Sequence, residues 1–199
     1  MDSKQRLILD QAMALADELG LDAVSMRAVG RRVGLSSMAL YPYVGNKDAL
    51  LDGLVRLLLD ELHLAAPVGG DWRERLRAVA RGTRELAHTH PGAYPLLLAR
   101  PAAAETSEAV RVAETIESAL RDAGVARAEV TRLQRMLSTF AMGYAASEVT
   151  GRFAAGSPAE RDADFEADLA DLLDLIERSA ASRARLAAAA EPPPSDVPG

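Results

Sequence analysis

Residues 25–47 leave this chain few choices of fold; their sequence is SMRAVGRRVGLSSMALYPYVGNK. Ser25 can cap a short helix over Met26–Val33, because its hydroxyl accepts a hydrogen bond from a backbone N–H that has no partner inside the helix. Gly34 tolerates the positive φ of a sharp turn, and Ser36 can cap a second short helix. Two short helices joined by a tight glycine-containing turn form a helix-turn-helix, whose second helix can lie in the major groove of DNA.

The charge of this stretch differs from the charge of the whole chain. The chain has a formal net charge of -6 and an isoelectric point near 5.2, so non-specific adhesion to nucleic acid is not expected. Between positions 27 and 47, however, every charged residue is basic: Arg27, Arg31, Arg32 and Lys47. Because salt screens charges beyond about 10 Å, a phosphate backbone responds to such a local patch. The pattern favours DNA binding; the alternative is an ordinary solvated helix face.

The same stretch resembles the N-terminal domain of the tetracycline-repressor (TetR) family of bacterial regulators. The resemblance covers roughly the first third of the chain, and a looser resemblance to the C-terminal domain of the tetracycline-repressor branch continues beyond it. The shared features are an apolar helix that ends at Gly20, then Arg27, Gly34, Leu40-Tyr41 and Asn46-Lys47-Asp48, followed by Leu50 and Leu51.

The resemblance implies a ligand-responsive transcriptional regulator, in the first place a repressor, that binds a palindromic double-stranded DNA operator as a homodimer. A small-molecule effector would release it. The two DNA-binding units would lie one helical turn of DNA, about 34 Å, or a multiple of it apart. The alternative is an activator, or a helical interaction protein, that uses the same DNA-binding domain.

An enzyme is disfavoured on the motifs. The sequence shows no Gly-rich phosphate loop, no Cys/His pair at metal-ligand spacing and no nucleophile elbow. The absence of cysteine excludes disulfides, thiolate metal sites and a cysteine nucleophile. We therefore predict no catalytic residue, no metal site and no cofactor. Measured turnover of a small metabolite, without salt-dependent affinity for DNA, would reverse this prediction.

Composition and apolar spacing predict the all-α fold class. Apolar residues make up 49% of the chain and aromatic residues 4%, and the prevalence of alanine and leucine favours closely packed helices. No apolar segment approaches the length of a bilayer and no leader pattern precedes the first helix, so we expect a cytoplasmic protein without a membrane partner. Spacings of three and four residues predict helices at 3–19, 26–33, 37 to about 41, 47 to about 63, 72 to about 89, 94–99 and 107–123, then two long helices on either side of a loop at 151–158.

These helices divide the chain into three parts. Residues 1–46 form a three-helix DNA-binding domain with the helix-turn-helix. A fourth helix joins it to a helical ligand-binding and dimerisation domain at 47–185. Residues 186–199, rich in alanine and proline, are expected to be a disordered tail.

The candidate DNA contacts combine one arginine with a largely apolar second helix. The resemblance implies that Arg27 contacts DNA, at times a guanine edge, whose O6 and N7 match the guanidinium fork. It also implies a phosphate contact from the Tyr41 hydroxyl. Met38 and Ala39 can offer only apolar contact, for example to a thymine methyl, so Arg27 and DNA shape must provide more of the discrimination. Pro42 is expected to end the helix near Tyr41 or distort its last turn. The candidates are Arg27, Ser36, Ser37, Met38, Ala39, Tyr41, Tyr43 and Lys47.

The two last helices carry apolar stripes that suit a dimer interface. Pairing them with the same helices of a second copy would give an isologous four-helix interface. The alternative is that both stripes are buried inside one chain. The predicted interface residues are Leu133, Leu137, Phe165, Leu169, Leu172 and Ile176.

A ligand site is expected among inward-facing residues of the fifth to eighth helices. His63 lies where the tetracycline-repressor branch uses a histidine to touch its ligand; the alternative is a surface histidine favoured by the helix dipole. Leu96 stands where that branch has a metal-binding histidine, which argues against a magnesium–tetracycline ligand. His88 and His90 do not share a helix face and are not expected to bind a ligand. The candidates, each of which can also be plain core, are His63, Val79, Thr83, Tyr94, Ile116, Met136, Phe140 and Tyr144.

Overall fold

The structure, a computed structural model, describes residues 2–65, 69–100, 107–153 and 155–190. These residues form α-helices and one 3-10 turn at Leu21–Ala23, which confirms the predicted all-α class. In the described parts of the chain, no helix combines the length and the apolar composition that a bilayer span requires. The helices are α1 (Ser3–Leu19), α2 (Met26–Val33), α3 (Ser37–Val44), α4 (Lys47–Ala65), α5 (Trp72–Thr89), α6 (Pro95–Ala99), α7 (Ser107–Asp122), α8 (Arg127–Val149) and α9 (Pro158–Ala190).

Helices α1–α3, which we call the N-terminal unit, pack with α4 around a first core. Ile8, Val29 and Leu40 are fully buried there. Gly53 allows α4 to approach α1 closely, because a Cβ at this position would lie 2.6 Å from Cδ2 of Leu9. The N-terminal unit is therefore held against α4, which contributes residues from Leu50 to Leu62 to the first core.

Helices α5–α9 form the C-terminal unit, with α5 at its centre against α4, α7 and α8. The second core is built mainly from the inner faces of α5, α7, α8 and α9, and its fully buried members include Leu76, Leu120 and Leu173; Leu96 of α6 belongs to the first core. The α5 helix begins where the Asp71 carboxylate accepts a hydrogen bond from the Arg73 N–H at 3.2 Å. Since α4 contributes to the first core and also packs on α5 and α7, it connects the two units.

The α3 helix continues past Pro42, which the sequence predicted would end the helix near Tyr41 or distort its last turn. Pro42 has no N–H to donate to the Met38 carbonyl, so one helical hydrogen bond is lost. The helix nevertheless runs to Val44, and the Gly45 N–H donates to the Tyr41 carbonyl at 2.9 Å. Burial of Val44 in the first core offsets the lost bond and keeps the last turn helical.

The α9 helix is longer than predicted, since it runs to Ala190. Residues 186–190, which the sequence analysis placed in a disordered tail, are helical. Alanine has the highest helix propensity, and extending an existing helix avoids the cost of starting a new one. The rest of the predicted tail, residues 191–199, lies outside the described residues.

The two apolar stripes predicted to pair with a second copy belong to the core of the single chain. Five of the six predicted interface residues have at most 1% of their surface exposed. A side chain without accessible surface has none to bury on association, so these five offer no surface to a second copy in this arrangement of the single chain, and their predicted interface role stays a prediction. Leu172 differs: it is half-buried at the edge of the core, and Leu173 occupies the inner position instead. The five buried residues are Leu133, Leu137, Phe165, Leu169 and Ile176.

Candidate nucleic-acid interface and ligand cavity

Two serine caps and two glycines fix the turn between α2 and α3. The hydroxyls of Ser25 and Ser36 each accept from the backbone N–H three residues on, both at 3.2 Å. Gly34 ends α2 with a φ of +72°, in the left-handed region that favours glycine. Gly30 allows the turn to lie directly against α2, because a Cβ there would be 2.7 Å from the carbonyl oxygen of Leu35. The helix-turn-helix predicted from these residues is present.

The α3 helix buries one face and exposes the other. Leu40 and Val44 point into the first core. On the opposite side, Met38 is 75% exposed and Tyr41 is 48% exposed, and Pro42 is exposed as well. Residues three and four apart share a helix face, so these three form one surface. This arrangement allows α3 to enter a groove without disturbing its packing.

Unpaired cations lie on the two helices that flank α3. Arg27 and Arg31 on α2 and Lys47 in the first turn of α4 are exposed, and within the described part of the chain none of them has an ion-pair partner. Arg32, by contrast, donates to Glu18 of α1. Arg27, Arg31 and Lys47, on the two helices that contact α3, are therefore available to an external anion.

The other predicted DNA contacts lie around the same helix. Ser36 uses its oxygen to cap α3 and keeps its O–H to donate, while Ser37 and Ala39 are half-buried. Tyr43 packs against the first core, and Nζ of Lys4 lies 5.1 Å from its ring centroid. The DNA contacts predicted for Ser36, Ser37, Ala39 and Tyr43 therefore stay predictions.

Two residues of this surface, Arg31 of the basic patch and Pro42, are not among the candidate DNA contacts predicted from sequence. Arg31 lies four residues after Arg27, and that spacing alone places both on one face of α2. Pro42 was treated as a helix terminator, and only the packing of the last turn shows that it extends the exposed face of α3.

A cavity of about 240 Å³ lies between α4, α6, α7 and α8. Its walls are mainly apolar, with the side chains of Arg100, Gln134 and Ser138 as polar groups. Apolar walls with a few polar groups are typical of small-molecule sites. The lining residues are Val55, Leu59, Leu97, Arg100, Ala109, Val112, Ala113, Ile116, Gln134, Ser138 and Met142.

Of the predicted ligand contacts, Ile116 lines this cavity. Val79 and Thr83 belong to the interior of the C-terminal unit instead, where the Thr83 hydroxyl donates to the Val79 carbonyl at 2.8 Å. Tyr94 is fully buried and donates to the Met142 carbonyl at 3.2 Å; burial raises the pKa of its hydroxyl. Those three residues have partners within the fold and leave no group open to this cavity.

Met136, Phe140 and Tyr144 lie on a different flank of α8 from the cavity residues. The Phe140 ring stacks on Phe165 with centroids 5.9 Å apart, and the Tyr144 ring meets Phe153 edge-on at 5.2 Å. These three residues do not line the cavity that contains Ile116, because α8 turns Gln134, Ser138 and Met142 toward it; their predicted ligand role stays a prediction. We call the partly exposed surface formed by Met136, Phe140, Tyr144 and Phe153 the aromatic flank.

His63 lies on α4, one turn after the cavity residue Leu59. Its Nδ1 atom is buried, and within the described residues it has no hydrogen-bond partner. A buried polar atom without a partner is costly and is usually satisfied by a group from outside the chain. The observation supports the predicted ligand role of His63, which stays a prediction.

Arg100 links the cavity wall to the start of α4. Its guanidinium donates to Oδ1 of Asp52 at 2.7 Å and to the backbone carbonyl of Asp48 at 3.3 Å. The hydrogen bond to Asp52 and the charges of both carboxylates raise the pKa of Arg100, so this cation stays charged. The first turns of α4 directly follow α3, which places this junction between the cavity and the helix-turn-helix.

A second junction joins α1 to the turn between α5 and α6. His90 contacts Asp17 of α1 at 2.7 Å and Glu61 of α4 at 3.2 Å. The other oxygen of Asp17 accepts from the Gly92 N–H at 3.1 Å. Gly92 permits this approach, because a Cβ there would lie 1.9 Å from the Ala16 carbonyl oxygen.

Among the described residues, no group of three or more His, Asp or Glu side chains is arranged to hold a metal ion.

A larger cleft of about 590 Å³ lies between α5 and α9 and is lined mainly by charged side chains. Arg84 donates to both carboxylate oxygens of Glu148, at 2.6 and 2.7 Å, and Arg81 donates to Glu166. Burial tends to raise the pKa of Glu148, but the hydrogen bonds from Arg84 and His88 lower it below its ordinary value. Because these groups satisfy one another, the smaller apolar cavity is the better candidate for a ligand site.

The geometry defines a class of protein: a helix-turn-helix unit joined by one helix to a helical unit that contains a cavity. Residues 8–54 match the family model for bacterial regulatory proteins of the tetR family, and residues 76–172 match the model for the tetracyclin repressor-like C-terminal domain. The tetracycline repressor protein class A from transposon 1721 of Escherichia coli is 31% identical over 155 residues, which cover 75% of this chain and 68% of that protein. The chain belongs to the TetR family of bacterial regulatory proteins.

Further similarities agree with this assignment. The HTH-type transcriptional repressor DrrR1 of Streptomyces coeruleorubidus is 30% identical over 79% of this chain and 58% of its own length, so the match spans about three fifths of that relative. A TetR variant from Acinetobacter baumannii AYE, solved in complex with minocycline, has a TM-score of 0.73 and 26% identity and covers 89% of this chain and 97% of its own. These relatives are regulators, in agreement with the prediction that the chain is not an enzyme.

Proposed function

We propose that the chain is a ligand-responsive transcriptional repressor that binds a palindromic DNA operator as a homodimer and releases it when a small-molecule effector binds. The observation that carries the proposal is the exposed face of α3 between unpaired Arg27 and Lys47, in a chain whose net charge is -6. In an acidic protein such a local excess of cations favours one anionic partner at one place. Two relatives named as repressors support the sign of regulation.

Selection of bound fragments from random or genomic DNA tests the DNA-binding step. We expect a palindromic consensus whose affinity falls steeply with salt, because Arg27, Arg31 and Lys47 displace counterions from phosphates. Arg27→Ala should weaken binding by about 1–3 kcal/mol and relax specificity if this residue contacts a base, or weaken all sequences equally if it contacts phosphate. Arg178→Ala, which removes an exposed arginine on α9, is the matched control. Failure to enrich any sequence would refute the proposal.

We propose that the homodimer forms through the aromatic flank and the adjoining face of α9, instead of the buried stripes. Phe153 and Leu175 are exposed there, and Leu172 is half-buried. Gly143 lies within α8 on the same side as Phe140, and a Cβ at this position would meet nothing within 4 Å. Glycine inside a helix is about 1 kcal/mol less favourable than alanine, so glycine at an open position favours the close approach of a second helix.

The dimer surface is tested at Gly143. Gly143→Arg should leave the single chain folded, because the position opens to solvent, but should prevent close contact between two α8 helices. Sedimentation equilibrium should then show a monomer with wild-type helical content, whereas Gly143→Ala should remain a dimer. A wild-type chain that is monomeric at micromolar concentration contradicts the proposal, and so does a Gly143→Arg variant that stays dimeric.

We propose that the effector occupies the cavity of about 240 Å³. His63 lies one turn beyond the cavity residue Leu59 and is not among the lining residues, so a contact between its buried Nδ1 and the effector would require the side chain to turn toward the cavity. The volume and apolar walls fit a small, largely apolar molecule with one or two hydrogen-bonding groups. The minocycline complex of the TetR variant supports a ligand role for this unit. Leu96, buried in the first core where the tetracycline-repressor branch has a metal-binding histidine, argues against a metal-chelated ligand here.

A panel of small apolar compounds tests the effector site by thermal shift, followed by measurement of operator release. A ligand at one hundred times its dissociation constant stabilises the fold by about 2.7 kcal/mol. Ala113→Leu should fill the cavity and abolish the shift while operator binding persists. Compounds that stabilise the variant as well as the wild type would place the effector elsewhere.

A further inference from the structure

The exposed face of α3 contains no amide and no charged side chain. Its residues are Met38, Tyr41 and Pro42, and the remaining side chains of the helix are Ser37, Ala39, Leu40, Tyr43 and Val44. We propose that Met38 is the specificity-determining residue of this helix and that it recognises the C5-methyl group of a thymine in each operator half-site. The inference rests on the proposed function, because it assumes that α3 enters the major groove.

Exposure and position select Met38 within the helix. Its side chain is 75% exposed, the largest exposure among the bulky apolar residues that the structure describes. It lies in the first turn of α3, after the Ser36 cap, where side chains of a recognition helix reach base edges. Leu40, two residues on, is fully buried and holds the helix in place. An exposed apolar side chain on a firmly packed helix lacks a partner within the chain.

The continuation of α3 through Pro42 completes this surface. Pro42 lies four residues after Met38 and Tyr41 lies three after it, so the three form one apolar strip along the helix. An end of the helix at Tyr41 would have interrupted the strip. Pro42 has no backbone N–H to offer, so this turn cannot contribute a main-chain donor to a base.

The chemistry of the major groove then restricts the base that fits. Guanine, adenine and cytosine present hydrogen-bonding groups there, whereas thymine also presents a methyl group. The side chains that make bidentate or charged contacts to the other bases are Arg, Lys, Asn, Gln, Asp and Glu, and α3 has none of these; its Ser37 hydroxyl is half-buried. A thioether side chain adapts its shape to a small apolar group. The methyl group of thymine is therefore the base feature that matches Met38.

Charge favours DNA over a protein as the occupant of this face. Arg27 and Arg31 on α2 and Lys47 in the first turn of α4 are exposed and, among the described residues, free of ion pairs. The two DNA strands that border a groove present phosphates on both sides of an inserted helix, and cations on the neighbouring helices α2 and α4 can contact these phosphates. An apolar protein partner would need no cations around the strip.

The experiment replaces each thymine of the selected operator in turn by uracil, which lacks only the methyl group. At one position in each half-site we expect about fourfold weaker binding by the wild-type protein, and about sixteenfold when both half-sites are changed, from the burial of one methyl group each. Met38→Ala, which changes both copies of the homodimer, should bind the thymine operator about as weakly as the wild type binds the operator with uracil in both half-sites. Replacement of thymine by uracil should not weaken the binding of Met38→Ala any further. Arg27→Ala, the matched control, should lower affinity and keep the penalty.

The outcomes separate the two levels of the proposal. A uracil penalty of equal size in the wild type and in Met38→Ala, or no penalty at any position, overturns the role of Met38 while operator binding stands. If selection enriches no DNA, or if the strip binds a protein partner in place of DNA, the proposed function fails and this inference fails with it. Circular dichroism of Met38→Ala checks that the fold is intact, which is expected because the removed side chain is exposed.

Discussion

Glu148→Gln tests the ion pair that joins α5 to the end of α8. The Glu148 side chain is 2% exposed, the least of any carboxylate in the ion pairs described. Arg84 donates to it at 2.6 and 2.7 Å, and His88 contacts it at 3.2 Å. The substitution removes the negative charge and keeps the size of the side chain.

The structure sets the size of the effect. Breaking a buried ion pair by removing one charge costs about 3–5 kcal/mol, because the other charge is left without compensation. Here Arg84 keeps its contact with Asp162 at 2.7 Å, and the new amide oxygen can still accept one hydrogen bond. We therefore expect Glu148→Gln to lower the free energy of unfolding by about 3 kcal/mol at pH 7, at the lower end of that range.

The sign of the pH dependence follows from the pKa of Glu148. Burial tends to raise this pKa, but the hydrogen bonds from Arg84 and His88 outweigh it, so the pKa in the folded chain lies below the ordinary value of 4.5. The ionised carboxylate therefore stabilises the fold fully above that ordinary value, and the stabilisation is lost as the pH falls through the lower, folded-state pKa. The stability difference between wild type and Glu148→Gln should narrow in acid.

Urea unfolding followed by circular dichroism at pH 7 and at pH 3.5 measures both effects. Protein concentration must be equal in all samples, since association would add to the measured stability. Glu166→Gln is the matched control, because its partner Arg81 is 56% exposed and Glu166 itself 40% exposed. That exposed pair should contribute no more than about 1 kcal/mol. Equal losses in the two variants, or a difference that does not narrow in acid, would refute the reasoning.

Three further substitutions test the two units and the junctions between them. Gly30→Ala should weaken operator binding, because the added Cβ would lie 2.7 Å from the Leu35 carbonyl oxygen and displace α3 from α2. The loss in binding free energy should exceed the loss in the free energy of unfolding. Operator affinity equal to that of the wild type in a gel-shift titration would contradict this. Asp17→Asn should accelerate hydrogen exchange at the amides of the turn between α5 and α6, which lose a charged acceptor; unchanged exchange would mean that the junction contributes little. Arg100→Gln should keep operator binding but weaken the release of the operator by any compound that occupies the cavity, because the ion pair between Arg100 and Asp52 is lost. Full release of the operator from this variant would show that this ion pair does not couple the cavity to the helix-turn-helix.

The N-terminal unit could be predicted closely from sequence because its signals are local. The hydroxyls of Ser25 and Ser36 cap the helices that they precede, and Gly34 adopts the positive φ expected of it. The end of α3 was the exception. A proline predicts a break from the hydrogen bond that it removes, but the burial of Val44, which outweighs that loss, depends on residues far away in the sequence.

The cavity could not be predicted because small residues create it. Ala109 and Ala113 line it because they leave space unfilled, and periodicity detects large apolar side chains, which fill space. The same limit affected α8. Successive residues on a helix point about 100° apart, so a broad apolar stripe leaves open which edge faces the cavity and which faces the aromatic flank. Periodicity likewise gave no means of choosing between Leu172 and Leu173 on α9, and the packing of the single chain selects Leu173.

The acidic character of the chain and the thin base recognition by α3 fit together physically. Non-specific affinity for DNA comes almost entirely from phosphate contacts, and a net charge of -6 opposes the approach of phosphates to the chain as a whole. Biological discrimination depends on the ratio of specific to non-specific affinity, not on the specific affinity alone. If the proposed function holds, one guanidinium at Arg27 and one methyl contact at Met38 in each half-site can supply a useful ratio of specific to non-specific affinity, because the non-specific affinity is small. A strongly basic chain with the same α3 would need more base contacts to reach that ratio, so under the proposed function the overall charge contributes to specificity.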